Sequence, residues 1–200
     1  MERQQNAANP NDEGLTIMLA ILVLVLAALS RLLPHVFHNM AFNFTAVGAG
    51  LLFFGSRRPR WQTVLAVAVM ALMDVFLTTK VYGYAFHVNA YLVTWAWYAA
   101  VCFLGLGLLT KTSGRGWMQV GAAVLASSTS FFLLSNFMVW AQSGMYAKTA
   151  AGLGACFVAA IPFYANDVMS TAITAGVLFG LPALAAGMVE MVRGAEVSAA

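Results

Sequence analysis

Charge is what this sequence has least of. Asp, Glu, Lys and Arg together make up 8% of its 200 residues, against about 25% in soluble globular domains. That is too little to cover the surface of a water-soluble fold, so a soluble globular protein is excluded. Cysteine is limited to two residues. Cys102 and Cys156 have no CxxC-type neighbour, which removes the usual zinc and redox spacings and leaves two buried thiols as the expectation. There is no glycine-rich phosphate loop, no GxSxG elbow and no HExxH helix. The chain therefore lacks a visible means of hydrolysing ATP. Nothing marks it as an enzyme, and nothing calls for a cofactor.

What is present is apolar. Hydrophobic residues are 62% of the chain and the mean hydropathy is +0.81. Runs of about 17–25 apolar residues are the signature of membrane-spanning helices, and the sequence has several. They predict an all-α membrane protein with about six transmembrane helices, over 15–33, 40–55, 61–79, 90–110, 116–142 and 166–189. A short small-residue segment, 149–163, ends near Pro162. It is too short to span and reads as a re-entrant or interfacial helix before the last span. The polar stretch 1–14 reads as a disordered cytoplasmic tail, 15–192 as the transmembrane domain and 193–200 as a flexible tail.

The net charge of +3 points to membrane orientation rather than to nucleic acid. Arg3, Arg57, Arg58, Arg60, Lys111, Arg115 and Arg193 fall on one side of a six-span arrangement, and Arg31, Lys80 and Lys148 on the other. Seven against three places both termini in the cytoplasm.

With that orientation the polar residues within or near the spans gather toward the outer face. Arg31, His35, His38, Asn43, Asp74, His87, Asn136, Trp140 and Asp167 all fall there. The cytoplasmic halves hold mostly Leu, Val, Ala, Gly and Met. Polar groups at membrane depth are costly and face a cavity or one another, so these nine are the candidate ligand-binding residues. Asp74 interrupts the run VAVMALMDVFL and needs a partner; Arg31, at similar depth, is the one available. His35, His38, His87 and Asp74 also contain the ligand types of a metal site, and a membrane-embedded metalloenzyme is the reading they would support. Trp95 and Trp97 suit interfacial anchoring, and Asn136 suits an interhelical hydrogen bond. Small residues recur every fourth position at Ala172, Gly176 and Gly180, at Ala122, Ala126 and Ser130, and at Ala151, Ala155 and Ala159. Such stripes permit close backbone approach, within the bundle or to another membrane protein.

The run RLLPHVFHNMAFNFTAVGAGLLFFG (31–55) resembles the first outer loop and second helix of a family of small bacterial membrane proteins, DUF6580. The run SNFMVWAQSGMYAKTAAGLGACFVAAIPFYANDVMSTAITAGVLFG (135–180) resembles that family's last third, and Asp74 fits its pattern. The family in turn looks similar to the substrate-binding S components of energy-coupling factor (ECF) vitamin importers. That likeness implies six helices, both termini inside, and capture near the outer face of a vitamin or cofactor-like solute, corrinoids among them. Many S components dock on a coupling subunit through alanines four apart in the first helix. Here LTIMLAILVLVLAALSRLL contains no such pair, which favours a solitary transporter or a dedicated partner. The competing expectation is a structural or accessory subunit of a larger membrane complex, held through the small-residue faces.

Overall fold

A bilayer offers backbone amides no hydrogen-bond partners, so an apolar chain must satisfy them internally, and helices do so segment by segment. The computed structural model of the chain describes residues 10–36, 44–109 and 116–199. It has six helices of eleven residues or more and no strand among those residues. Helix α1 is Pro10–Leu29, extended by a 3-10 turn, Ser30–Leu32, and one further α turn, Leu33–Val36. Helices α2 (Val47–Arg57), α3 (Thr63–Phe76), α4 (Leu92–Leu109), α5 (Gly116–Gln142) and α6 (Ala150–Ala199) follow. Five stretches are long and apolar enough to cross a membrane: Glu13–Val36, Arg60–Val81, Leu92–Leu109, Gly116–Gln142 and Ala150–Leu184. Their outer faces carry exposed Leu, Val, Met and Phe, such as Leu22, Leu72, Phe103, Leu133 and Val177, a surface suited to lipid. The all-α multi-pass membrane reading holds.

The short element enclosed by protein is α2. Its sequence, VGAGLLFFGSR, is apolar through nine consecutive positions, and Val47 through Gly55 are all buried. A helix that is hydrophobic all round belongs inside a bundle. Eleven residues rise only about 16 Å, well short of the hydrocarbon thickness. It runs antiparallel to α1: the Ala46 amide donates to Ser30 Oγ at 2.9 Å, and Gly50 lies against Val23 and Ala27. Ala20, Ala27 and Ala28 are buried at 0–3% exposure, so the alanines of α1 serve the core. Against α4 the approach is closer still. A Cβ at Gly55 would collide with the Cys102 carbonyl, and one at Gly105 with the Leu52 carbonyl. Both cysteines are free and buried.

The predicted short helix over 149–163 is not a separate element. It is the beginning of α6, which continues through Pro162 and Pro182. Proline removes one intrahelical bond, but in a membrane the chain has no water to turn to, and packed neighbours hold the helix together. Helix α1 starts at Pro10, and α6 is helical to Ala199.

The small-residue stripes have the right period and the wrong phase. Ala122 and Ala126 of α5 are exposed while Ala123, Ser127 and Ser128 are buried. On α6, Ala172 and Gly176 are exposed while Thr171 and Ala175 are buried, and Ala151, Ala155 and Ala159 also face outward. Of the nine stripe positions only Gly180 is buried, against Trp117.

Candidate functional site

Two irregular turns set the site. The 3-10 turn after α1 carries Arg31, and α3 is followed by a π-helical turn, Leu77–Val81, that begins three residues past Asp74. Departures from α geometry of this kind recur where side chains are re-aimed for function. Arg31 Nη1 lies 2.6 Å from Asp74 Oδ1, so the partner expected for the lone carboxylate is the one found. Asp74 is 1% exposed. Trp95 Nε1 donates to its Oδ2 at 2.9 Å, and the Tyr98 hydroxyl sits 3.4 Å from both oxygens while accepting from Arg31 at 3.2 Å. A buried carboxylate is tolerated only when paired and hydrogen-bonded in this way.

Beside this pair lies a cavity of about 440 Å³, within the 300–1,000 Å³ range of small-molecule sites. Arg31 and Asp74 form part of its wall, with Thr45, Val47 and Gly48 at the start of α2. Helix α4 contributes Thr94, Trp97 and Tyr98, preceded by Tyr91. Helix α5 contributes Ser128, Phe131, Phe132, Ser135 and Asn136, and α6 contributes Ala160, Phe163, Tyr164 and Asp167. The α5 and α6 residues are spaced i, i+3, i+4, i+7, the spacing of one helix face. Seven of the eighteen lining residues are aromatic, and several of the rings are held by neighbours. Trp97 Nε1 donates to Ser130 Oγ at 2.9 Å and its ring lies 4.8 Å from that of Phe131. The Tyr164 hydroxyl pairs with Thr129 at 2.8 Å. A second hollow of about 400 Å³ opens between α4 and α5 and shares Thr94, Trp97, Phe131 and Ser135 with the first.

Polar capacity remains in and behind this wall. The Ser127 and Thr171 hydroxyls are buried with no hydrogen-bond partner, a rare state for such groups, and the buried Ser128 hydroxyl has only the Asp167 carboxyl to turn to. Ser128 lines the cavity and the Asp167 carboxyl faces it. Ser127 Oγ and Thr171 Oγ1 press on Gly48, 3.0 and 3.1 Å from where a Cβ would stand.

Of the nine sequence candidates, Arg31, Asp74, Asn136 and Asp167 line the one cavity. His35, His87 and Trp140 do not. His35 is exposed, edge-on to Tyr82 with ring centroids 6.3 Å apart. His87 is exposed and its carbonyl accepts from the Ala90 amide at 3.0 Å. Trp140 closes the α5–α6 turn: its Nε1 donates to the Ala147 carbonyl at 2.9 Å, and Lys148 Nζ bonds the Trp140 carbonyl. His38 and Asn43 lie outside the described residues. Among the described residues no three of His, Cys, Asp and Glu come together as a metal site. Trp95 and Trp97 are hydrogen-bonded to groups within the bundle, and Asn136 Nδ2 bonds the Phe132 carbonyl of its own helix at 2.8 Å. Sequence reasoning missed Tyr98, Ser128, Phe132 and Tyr164, although the helical spacing on α5 and α6 carried that information.

The family model described as "Family of unknown function (DUF6580)" matches residues 11–192. The match covers nearly the whole chain, and the chain belongs to the DUF6580 family. No curated protein and no solved structure matches it.

Proposed function

We propose that this DUF6580 protein is a solute-binding membrane transport protein of the ECF S-component type. It captures a vitamin- or cofactor-like molecule in a pocket facing the outside of the bacterial cytoplasmic membrane. The observation that carries the reading is the meeting of Arg31, Asp74, Asn136 and Asp167, from four separate segments, in the wall of one aromatic-lined cavity. Polar side chains are too costly in lipid to converge without company. The arrangement is one for holding a molecule, with aromatic area for affinity and a few polar groups for orientation. A cavity of about 440 Å³ suits a one- or two-ring solute better than a corrinoid. The excess of lysine and arginine in the other set of loops supports both termini being cytoplasmic. The buried alanines of α1 offer no AxxxA docking face, which supports solitary action or a dedicated partner.

The second reading, an accessory subunit of a larger membrane complex, draws on the outward small-residue faces of α5 and α6. A thermal-shift screen of the purified protein against water-soluble vitamins and their precursors separates the two. The transport reading expects at least one saturable ligand, stabilising by about 2.7 kcal/mol at a hundred times its Kd. Stoichiometric co-purification with another membrane protein in mild detergent, with no saturable ligand in the screen, would favour the accessory reading instead.

A further inference from the structure

Among the described residues, the formal charges around the cavity do not balance. Arg31 and Asp74 cancel each other at 2.6 Å. Asp167, on the α6 side, has no cation against it among the described residues. Other cations are engaged elsewhere: Lys148 bonds the carbonyls of Trp140 and Ser143, and Arg58 bonds Gln62. Neither lines the cavity, and nor does Lys80, which is exposed. The start of α2 brings a partial positive charge, about half a unit, that fades within the first turn. It offsets Asp167 in part and leaves the described lining negative.

The surroundings of that carboxylate are aromatic. Phe163 and Tyr164 precede Asp167 by one turn on the same face of α6 and line the same cavity. The Tyr164 ring lies 4.9 Å from Phe132, which lies 5.4 Å from Phe157. Ring faces carry negative electrostatic potential and attract a cation within about 6 Å. A carboxylate with no cation against it, in a wall shared with Phe132, Phe163 and Tyr164, is therefore complementary to positive charge and repels negative charge.

Building on the solute-binding reading above, the geometry points to an organic cation as the ligand: a compact molecule bearing a positively charged nitrogen on or beside a flat ring. Asp167 supplies the counter-charge. Phe132, Phe163 and Tyr164 supply the ring faces, and the Ser128 hydroxyl supplies a neutral hydrogen bond at the same end.

The test uses the full chain in detergent and three probes that share a phenyl ring: benzyltrimethylammonium, benzyl alcohol and phenylacetate. Binding is followed by calorimetry and by tryptophan fluorescence, to which Trp97 in the cavity wall contributes. The cation is expected to bind saturably and more tightly than the other two. Asp167→Asn should weaken it by about ten- to a hundredfold, the range for losing a bond to a charged group, and leave benzyl alcohol unchanged. Asp167→Glu should retain most of the cation affinity and controls for damage to the fold. If benzyl alcohol or phenylacetate binds the wild type as tightly as the cation, the pocket stands and the charge inference fails. Undiminished cation binding in Asp167→Asn, with a lowered melting temperature, would make Asp167 a structural partner of the α2 terminus and overturn the inference. If none of the three probes and no vitamin in the screen binds, the solute-binding reading falls with it.

Discussion

Arg31→Ala is expected to destabilise the protein by about 3–5 kcal/mol, the cost of stranding one member of a buried ion pair. Asp74 is 1% exposed, so its carboxylate cannot recover solvation by a small shift. Without Arg31 it keeps only the neutral donors Trp95 and Tyr98, and an uncompensated charge inside a bilayer is costly by any scale. Replacing both partners, Arg31→Met with Asp74→Asn, removes the charges together and retains an acceptor for Trp95. That double variant should recover most of the loss. Unfolding of the two single variants and the double variant in detergent, read as a double-mutant cycle, checks the claim. Additivity within about 0.5 kcal/mol would mean that the groups are not coupled.

The second large effect concerns the crossing of α2 and α4. In an open helix Gly→Ala is favourable by roughly 0.5–1 kcal/mol, because alanine gives up less conformational freedom on folding. At Gly105 the sign should reverse. A Cβ there meets the Leu52 carbonyl, which is backbone and cannot rotate away, and Gly55 stands in the same relation to Cys102. Gly105→Ala and Gly55→Ala should each cost about 1–3 kcal/mol, the usual range for overpacking, by prising apart two helices that contribute to the cavity wall. Gly107, two residues on, is exposed, and a Cβ at that position would have nothing within 4 Å. Gly107→Ala should be neutral or slightly stabilising, and a comparison of the three melting temperatures decides the matter. Equal effects at Gly105 and Gly107 would contradict the close crossing.

Much of this was legible in the residues, for reasons that can be named. A carboxylate inside VAVMALMDVFL has to be paired, and one arginine stood at its depth, so the Arg31–Asp74 bridge could be read directly. Depth was also enough to bring Asn136 and Asp167 to the same cavity. It was not enough for His35, His87 and Trp140. Residues in loops and at helix ends have no sustained periodicity to report the direction in which they face: His35 lies edge-on to Tyr82, His87 is exposed, and Trp140 closes the α5–α6 turn. The small-residue stripes failed on a related point. Spacing by four defines a helix face without saying which way it points, and the buried face of α5 lies one residue along, at Ala123 and Ser127. Pro162 misled because its cost is judged from helices in water, where a broken backbone can be hydrated. The enclosed character of α2 was visible in its nine consecutive apolar or glycine positions, yet length alone made 149–163 look like the shorter element.

The central claim is that one aqueous cavity, open to a single side of the membrane, lies among α4, α5 and α6 and the Arg31–Asp74 pair. Ser135 lines both hollows, and the two native cysteines are buried and can be replaced by alanine. In that background Ser135→Cys should react with a membrane-impermeant charged thiol reagent in intact cells, and a saturating ligand should protect it. Failure to react from outside, with labelling only in inverted vesicles or none in either preparation, would contradict the account.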